Sequence, residues 1–189
     1  MGIFFLLKYY INTVLYHFAL YHIIPERSFY MNTKNVSYSK TEQVHLIQPA
    51  DLNGGNRLFG GTLLKWIDEV AAIVAMRHAG VKTVTTAAID HLEFKAGAYL
   101  NDLIVLIGYV IYTGKTSMEV RVDTYVESTD GMRRPINRAH IILVALDEKN
   151  RPTAVPQLVL ENDIQREEFN QALLRKQLHS CSDHHLLKP

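Results

Sequence analysis

The stretch LNGGNRLFGGTLLKWIDEVAAIVA, residues 52–75, decides how the rest of the chain is read. Two glycine pairs, Gly54–Gly55 and Gly60–Gly61, lead into a run so apolar that it predicts a buried helix from Thr62 to His78. Gly80 stands just past its end, where a left-handed cap belongs. A helix that is apolar all round has to be enclosed. Yet Asp68 and Glu69 sit in its middle, where an unpartnered carboxylate is costly. Glu69 is expected on an exposed side, paired with a lysine or arginine. Asp68 follows Gly61 by two helical turns, so both fall on nearly the same face. Leu64, Ala71, Ala72 and Ala75 occupy or flank that face, and the alanines leave room for something to lie along the helix. Asp68 is therefore the first candidate site residue.

Outward from the helix, the pattern changes to strands. TEQVHLIQP (41–49) reads as a short strand ended by Pro49, and ADLNGGNRLFGG (50–61) as turn chemistry. Lys82–Phe94 is rich in β-branched residues, and Leu103–Gly114 is an apolar run bounded by turn residues. In SMEVRVDTYVES, Met118, Val120, Val122, Thr124 and Val126 alternate with Glu119, Arg121, Asp123, Tyr125 and Glu127. Period two over ten residues predicts a half-buried strand. A further strand (136–147) follows the turn STDGMRRP, and 161–178 reads as an amphipathic, charge-laced helix capped by Asn162 or Asp163. One strand, one enclosed helix, about four more strands and a peripheral helix make an α+β domain, an antiparallel sheet curled around a single long helix. That is the hot-dog arrangement.

Bulk properties narrow the function. The 189 residues are 48% hydrophobic and 21% charged with a formal net charge of +1, which gives no electrostatic field for nucleic acid or a cationic partner. The lone Cys181 leaves no internal disulfide and fits a reducing, cytoplasmic setting. It lies in the tail LHSCSDHHLLKP, whose Cys and His residues lack zinc-like spacing, so the tail reads as a solvated C-terminus. Residues 1–30 are apolar but interrupted by Lys8, Asn12, His17 and His22. They offer neither a clean membrane span nor a signal-cleavage site. We read them as an upstream extension before a natural start at Met31, with a weak membrane anchor as the second reading. The domain proper is 31–160, followed by a C-terminal helix and tail over 161–189.

Candidate chemistry is sparse. YTGKTS resembles the end of a phosphate loop, but Tyr109 stands where that motif needs glycine, and a strand follows instead of a helix. It is a hairpin from which Lys115 can present its ammonium to a ligand phosphate. No nucleophile elbow or metal-spaced histidine pair occurs. Gly60 and Gly61 stand at the helix start, where backbone N–H groups lack intrahelical partners and favour an anion or oxyanion. Asn53 and Asn56 add polar side chains from the preceding loop.

The segments RLFGGTLLKWIDEVAAIVAMRHAG, TVTTAAIDHLEF, YTGKTSMEVRVDTYVE and HIILVALDEKNRPTAVP, in that order, resemble the hot-dog acyl-CoA thioesterases of the cytosolic acyl-CoA hydrolase type. The resemblance covers about Leu46 to Pro156. It implies hydrolysis of acyl-CoA to free fatty acid and CoA without metal or cofactor. Asp68 would be general base or nucleophile, and Gly61, with Gly60 nearby, would donate the oxyanion N–H. It also implies a site shared across a homodimer, with a trimer of dimers as the larger assembly, and Asn53 supplied by the other subunit. Thr86 and Asp90 would face the cleft, and Lys115, Thr116 and Ser117 would contact CoA. The family pattern N-H-x-G-x-L-F-G-G departs here to NGGNRLFGG, which adds Asn56 and Arg57 as candidate partners of the scissile group. The rivals are a non-hydrolysing acyl-CoA sensor on the same fold and a dehydratase, which would need a histidine near the helix.

Overall fold

The computed structural model describes residues 33–186, without the side chains of His91 and of residues 179–186. The expectations for residues 1–30 and for the start at Met31 lie outside that description, as does the side chain of Cys181. In order, the elements are β1 (Thr33–Asn35), α1 (Val36–Ser39), β2 (Thr41–Leu46), a 3-10 turn (Pro49–Asp51), α2 (Gly60–Ala79), β3 (Thr83–Phe94), β4 (Leu103–Thr113), β5 (Ser117–Glu127), β6 (Arg133–Leu146), β7 (Gln157–Val159) and α3 (Asp163–Leu186). Five strands form an antiparallel sheet in the order β2-β4-β5-β6-β3, which leaves β2 and β3 at its edges. The short β1 and β7 pair in parallel beside it. No helix among the described residues is long and apolar enough to cross a membrane.

α2 lies against one face of the sheet. Trp66, Ile67, Val70 and Val74 pack with Ile104, Leu106, Val120, Val122, Ile141 and Leu143 into one core. The approach is close because β4 carries Gly108, where a Cβ would come within 2.7 Å of Val70 Cγ1 and 3.0 Å of Val74 Cγ2. Gly80 adopts φ 70° and donates its N–H to the Met76 carbonyl at 2.8 Å, the expected left-handed cap. His78, near the same end, is fully buried. Its Nε2–H donates to the Pro156 carbonyl at 3.1 Å, and its Nδ1 accepts from the Ser39 hydroxyl at 3.4 Å. The carbonyl calls for the proton on Nε2, and burial lowers the ring's pKa from the ordinary 6.5.

Three expectations need correction. The helix begins at Gly60, not Thr62, so the glycines form its first turn and do not precede it. It is also not enclosed on every side: Leu64, Asp68, Ala72 and Met76 remain half-buried and Gly61 exposed along one flank. The alternation in β5 is real, with Met118, Val120, Val122 and Thr124 turned to the core. Its other face is not solvated, however, because Glu119 and Asp123 are buried there too. The cover is the peripheral helix α3, which runs on to Leu186 beyond the expected end at 178. Its Arg175 and Glu168 meet Glu119 and Arg121 of the strand.

Candidate active site

The carboxylate of Asp68 projects from the third turn of α2 toward β3, where the Thr86 hydroxyl donates to Oδ1 at 2.6 Å. A short charge-assisted bond of this kind holds one carboxylate oxygen and leaves the second able to accept a proton. Glu69, the neighbouring acid, points to solvent and lies 3.7 Å from Lys65 one turn back. The two acids thus separate as their surroundings demand, one held against the edge strand and one screened by water.

Seven residues before Asp68, the helix opens on Phe59, Gly60 and Gly61. Phe59 is the N-cap but supplies no side-chain cap, and the first turn contains no acidic residue. Leu63 is the first residue whose N–H reaches a carbonyl of the segment, Phe59 O at 3.1 Å. The N–H groups of Gly60, Gly61 and Thr62 precede it, at the positive end of the helix dipole. Gly61 has a steric reason of its own, since a Cβ there would lie 2.6 Å from the Phe59 ring.

The loop before the helix is a closed turn. Leu52 and Leu58 bridge its ends. Within it the Asn53 side-chain oxygen accepts from the N–H of Gly55 at 2.8 Å and of Arg57 at 3.3 Å. That leaves the amide NH2 as the group Asn53 can offer a ligand. Asn56 sits at φ 56°, the left-handed region that glycine favours and asparagine tolerates. The departure at this position is therefore conformationally conservative. Asn53, Arg57 and Gly60 line a cleft of about 410 Å³ together with Leu63, Phe94 and Lys95.

Asp68 is not among the residues that line this cleft. Within one chain the candidates fall into separate groups: Asn53, Arg57 and Gly60 at the cleft, and Asp68 with Thr86 further along the helix. Ser117 and Asp90 line a small cavity of about 80 Å³ beneath α3, on the sheet face opposite α2. Asp90 is held there by Arg175 at 3.4 Å and does not join Asp68. Lys115 and Thr116 form the β4–β5 hairpin, their carbonyls accepting from Val155 and Ala145. Ser117 pairs with Val144, which pairs with Thr85, so the hairpin lies level with the Thr86 region two strands away. Lys95, a second cation on the cleft, was not anticipated. Its signal in the sequence is a lone lysine after a strand, indistinguishable from a solvated turn residue.

A sheet curled on one helix, with one carboxylate of that helix held against the edge strand and an uncapped glycine turn at its head, is the framework of a hot-dog thioesterase. The profile of the thioesterase superfamily matches residues 55–132. The uncharacterized acyl-CoA thioester hydrolase YkhA of Bacillus subtilis is 36% identical over 140 residues, covering 74% of this chain and 77% of that protein. This chain belongs to that family of acyl-CoA thioester hydrolases. The cytosolic acyl coenzyme A thioester hydrolase of Rattus norvegicus is 33% identical over 140 residues, covering 72% of this chain but only 36% of the longer rat protein. Among solved structures, an apo-hexameric acyl-CoA thioesterase is similar with a TM-score of 0.76 and 35% identity, over 83% of this chain and 99% of that one. The acyl-CoA hydrolase of Staphylococcus aureus, solved with butyryl coenzyme A, coenzyme A and coenzyme A disulfide, gives a TM-score of 0.75 and 31% identity, over 81% of this chain and 93% of that one.

Proposed function

We propose that this chain hydrolyses acyl-CoA thioesters to free fatty acid and CoA, with Asp68 as the reacting carboxylate. The observation that carries the reading is the 2.6 Å bond from Thr86 to Asp68 Oδ1, which orients an acid that the apolar helix has no packing reason to keep. As general base, Asp68 removes a proton from water while the resulting hydroxide attacks the thioester carbonyl. As nucleophile, it forms a mixed anhydride that water then cleaves. In either route the negative charge on the carbonyl oxygen is met by the N–H of Gly61, with that of Gly60 beside it. The C–S bond breaks as the oxyanion collapses, and CoA leaves.

The separation of Asn53 from Asp68 within one chain is the reason to place a second copy in the reaction. The half-buried flank of α2 and the exposed edge strand β3 lie beside Asp68 and Thr86, where another subunit can bring its own Asn53 loop and Gly60 cleft. A homodimer completes the site, and a trimer of such dimers would have the six chains of the hexameric relative. Asn56, Arg57 and Lys95 then line the approach, and Lys115, Thr116 and Ser117 meet CoA. Alanine variants of an asparagine, an aspartate and a threonine have been solved for the Staphylococcus aureus enzyme. Its asparagine and aspartate stand as far apart in sequence as Asn53 and Asp68, and its threonine falls within one residue of the spacing to Thr86. A cytoplasmic location accords with the rat relative's name.

The test is free CoA release from a panel of acyl-CoA chain lengths by wild type and Asp68→Asn. Turnover that collapses in the variant, with unchanged Tm, is the expected result. Acyl-CoA binding without turnover in wild type would replace the hydrolase with a sensor.

A further inference from the structure

The cleft of about 410 Å³ at the head of α2 has an apolar floor and a cationic mouth. Leu63, Ala98 and Ile136 line it and are buried, whereas Arg57 and Lys95 line it and are exposed. A third cation, Arg134, donates to the carbonyl of Gly97 in the cleft wall at 3.4 Å. The first turn of α2 adds the positive end of its dipole and carries no acidic residue. Among the described residues, no carboxylate lines the cleft. The acid that answers this set is Glu93, 3.4 Å from Lys95 Nζ, with both side chains about half exposed.

Arg57 closes its loop with backbone atoms alone. Its N–H donates to Asn53 Oδ1 at 3.3 Å, and its carbonyl accepts from the Asn53 N–H at 2.8 Å. Its guanidinium has no hydrogen bond or ion pair among the described residues. The stem lies beside Gly97, where a Cβ would come 3.6 Å from Arg57 Cδ, and this holds the side chain at the cleft. An acyl chain with an apolar tail would take water from these cations and give nothing back. A chain that ends in a carboxylate rests its methylenes on the apolar floor and supplies the counter-charge. The phosphates of CoA are the other anions of such a substrate. The whole pantetheine arm separates them from a thioester carbonyl held at Gly61.

We infer that Arg57, with Lys95, selects acyl-CoAs whose acyl chain carries a terminal carboxylate. The inference rests on the thioesterase reading and names the substrate class of that site. A guanidinium that only paired with the reacting Asp68 of a second copy would act alike on every acyl group, and the experiment reads that difference.

Hexanoyl-CoA and adipoyl-CoA have acyl chains of equal length and differ in the carboxylate at the far end. Both are assayed with wild type, Arg57→Lys, Arg57→Gln and the double variant Arg57→Gln/Lys95→Gln. Wild type should favour adipoyl-CoA in kcat/KM. Arg57→Gln should lower the adipoyl-to-hexanoyl ratio about fivefold, chiefly through the KM of adipoyl-CoA, the size expected of a cation at a half-open site. The double variant should lower the ratio further, and Arg57→Lys should keep most of it because the charge remains. Added salt should narrow the wild-type ratio. Equal losses on the two substrates in Arg57→Gln and in the double variant, or a wild type that favours hexanoyl-CoA, would overturn the inference. A wild type that hydrolyses neither ester rejects the hydrolase reading instead. Calorimetric Kd values of wild type and Arg57→Gln for the same two esters then decide the selection, an unmoved ratio again counting against it.

Discussion

Thr86 and Asp68 are joined by a 2.6 Å hydrogen bond between the edge of the sheet and the helix it wraps. The bond limits the rotation of the carboxylate. Thr86→Val keeps the branched shape and removes the donor. Hydrogen bonds to charged groups contribute about 1.5–3 kcal/mol when buried, and solvent at this half-open site places the effect at the low end, so kcat should fall about tenfold. Thr86→Ser should retain most of the rate, and Tm should barely move in either. Acyl-CoA turnover by the two variants checks this, and a valine variant as fast as wild type would remove Thr86 from the mechanism.

The helix, the strands and their order were legible because each carries its own period: an apolar run for α2, β-branched runs for β3 and β4, and strict alternation for β5. Gly80 was legible because a cap needs positive φ. What the sequence hid was long-range. Glu119 and Asp123 alternate like solvated residues, and only the packing of α3 shows that their face is covered. The one trace of this lies in Glu168 and Arg175, two helical turns apart and hence on one side of α3. They meet Arg121 and Glu119. Asp90 was misplaced for a related reason. A bulge breaks the period of two, so counting from Thr86 does not tell which face Asp90 takes.

Gly108 is a packing glycine, and its replacement should be costly. A Cβ at this position meets Val70 Cγ1 at 2.7 Å and Val74 Cγ2 at 3.0 Å, and both valines are fully buried. β-branched side chains have few alternative rotamers, so the helix has to move away from the sheet. Gly108→Ala should destabilise by about 1–3 kcal/mol, with Tm falling about 2–4 °C for each kcal/mol. Thermal unfolding measures this directly, and an unchanged Tm would mean that the helix has slack.

His78 makes stability fall in mild acid. Desolvation lowers its pKa in the fold, so below pH 6.5 the unfolded chain binds a proton that the native chain refuses. The unfolded state then holds more protons, and stability drops as pH falls. His45 is shifted in the same direction by burial and adds to the effect. Between pH 7.5 and 5.5 wild type should therefore lose more Tm than His78→Gln, whose amide can still donate to Pro156 but does not titrate. Parallel Tm curves for the two proteins would assign the pH dependence elsewhere.

A composite active site can be read from mixtures of inactive variants. If Asn53 and Asp68 act across a two-fold interface, Asn53→Ala and Asp68→Ala homodimers each contain two broken sites. A mixed dimer contains one site in which the intact loop of one chain meets the intact carboxylate of the other, and one site that lacks both groups. Random exchange makes half the dimers mixed, so co-refolded or co-expressed variants should recover up to about a quarter of wild-type activity. A site built within one chain predicts no recovery at all, because every chain in the mixture lacks one of the two groups. The separation of the Asp68–Thr86 pair from the Asn53 cleft favours recovery. Activity that stays at the level of the separate variants, in mixtures shown to contain mixed dimers, would return Asn53 and Asp68 to a single subunit.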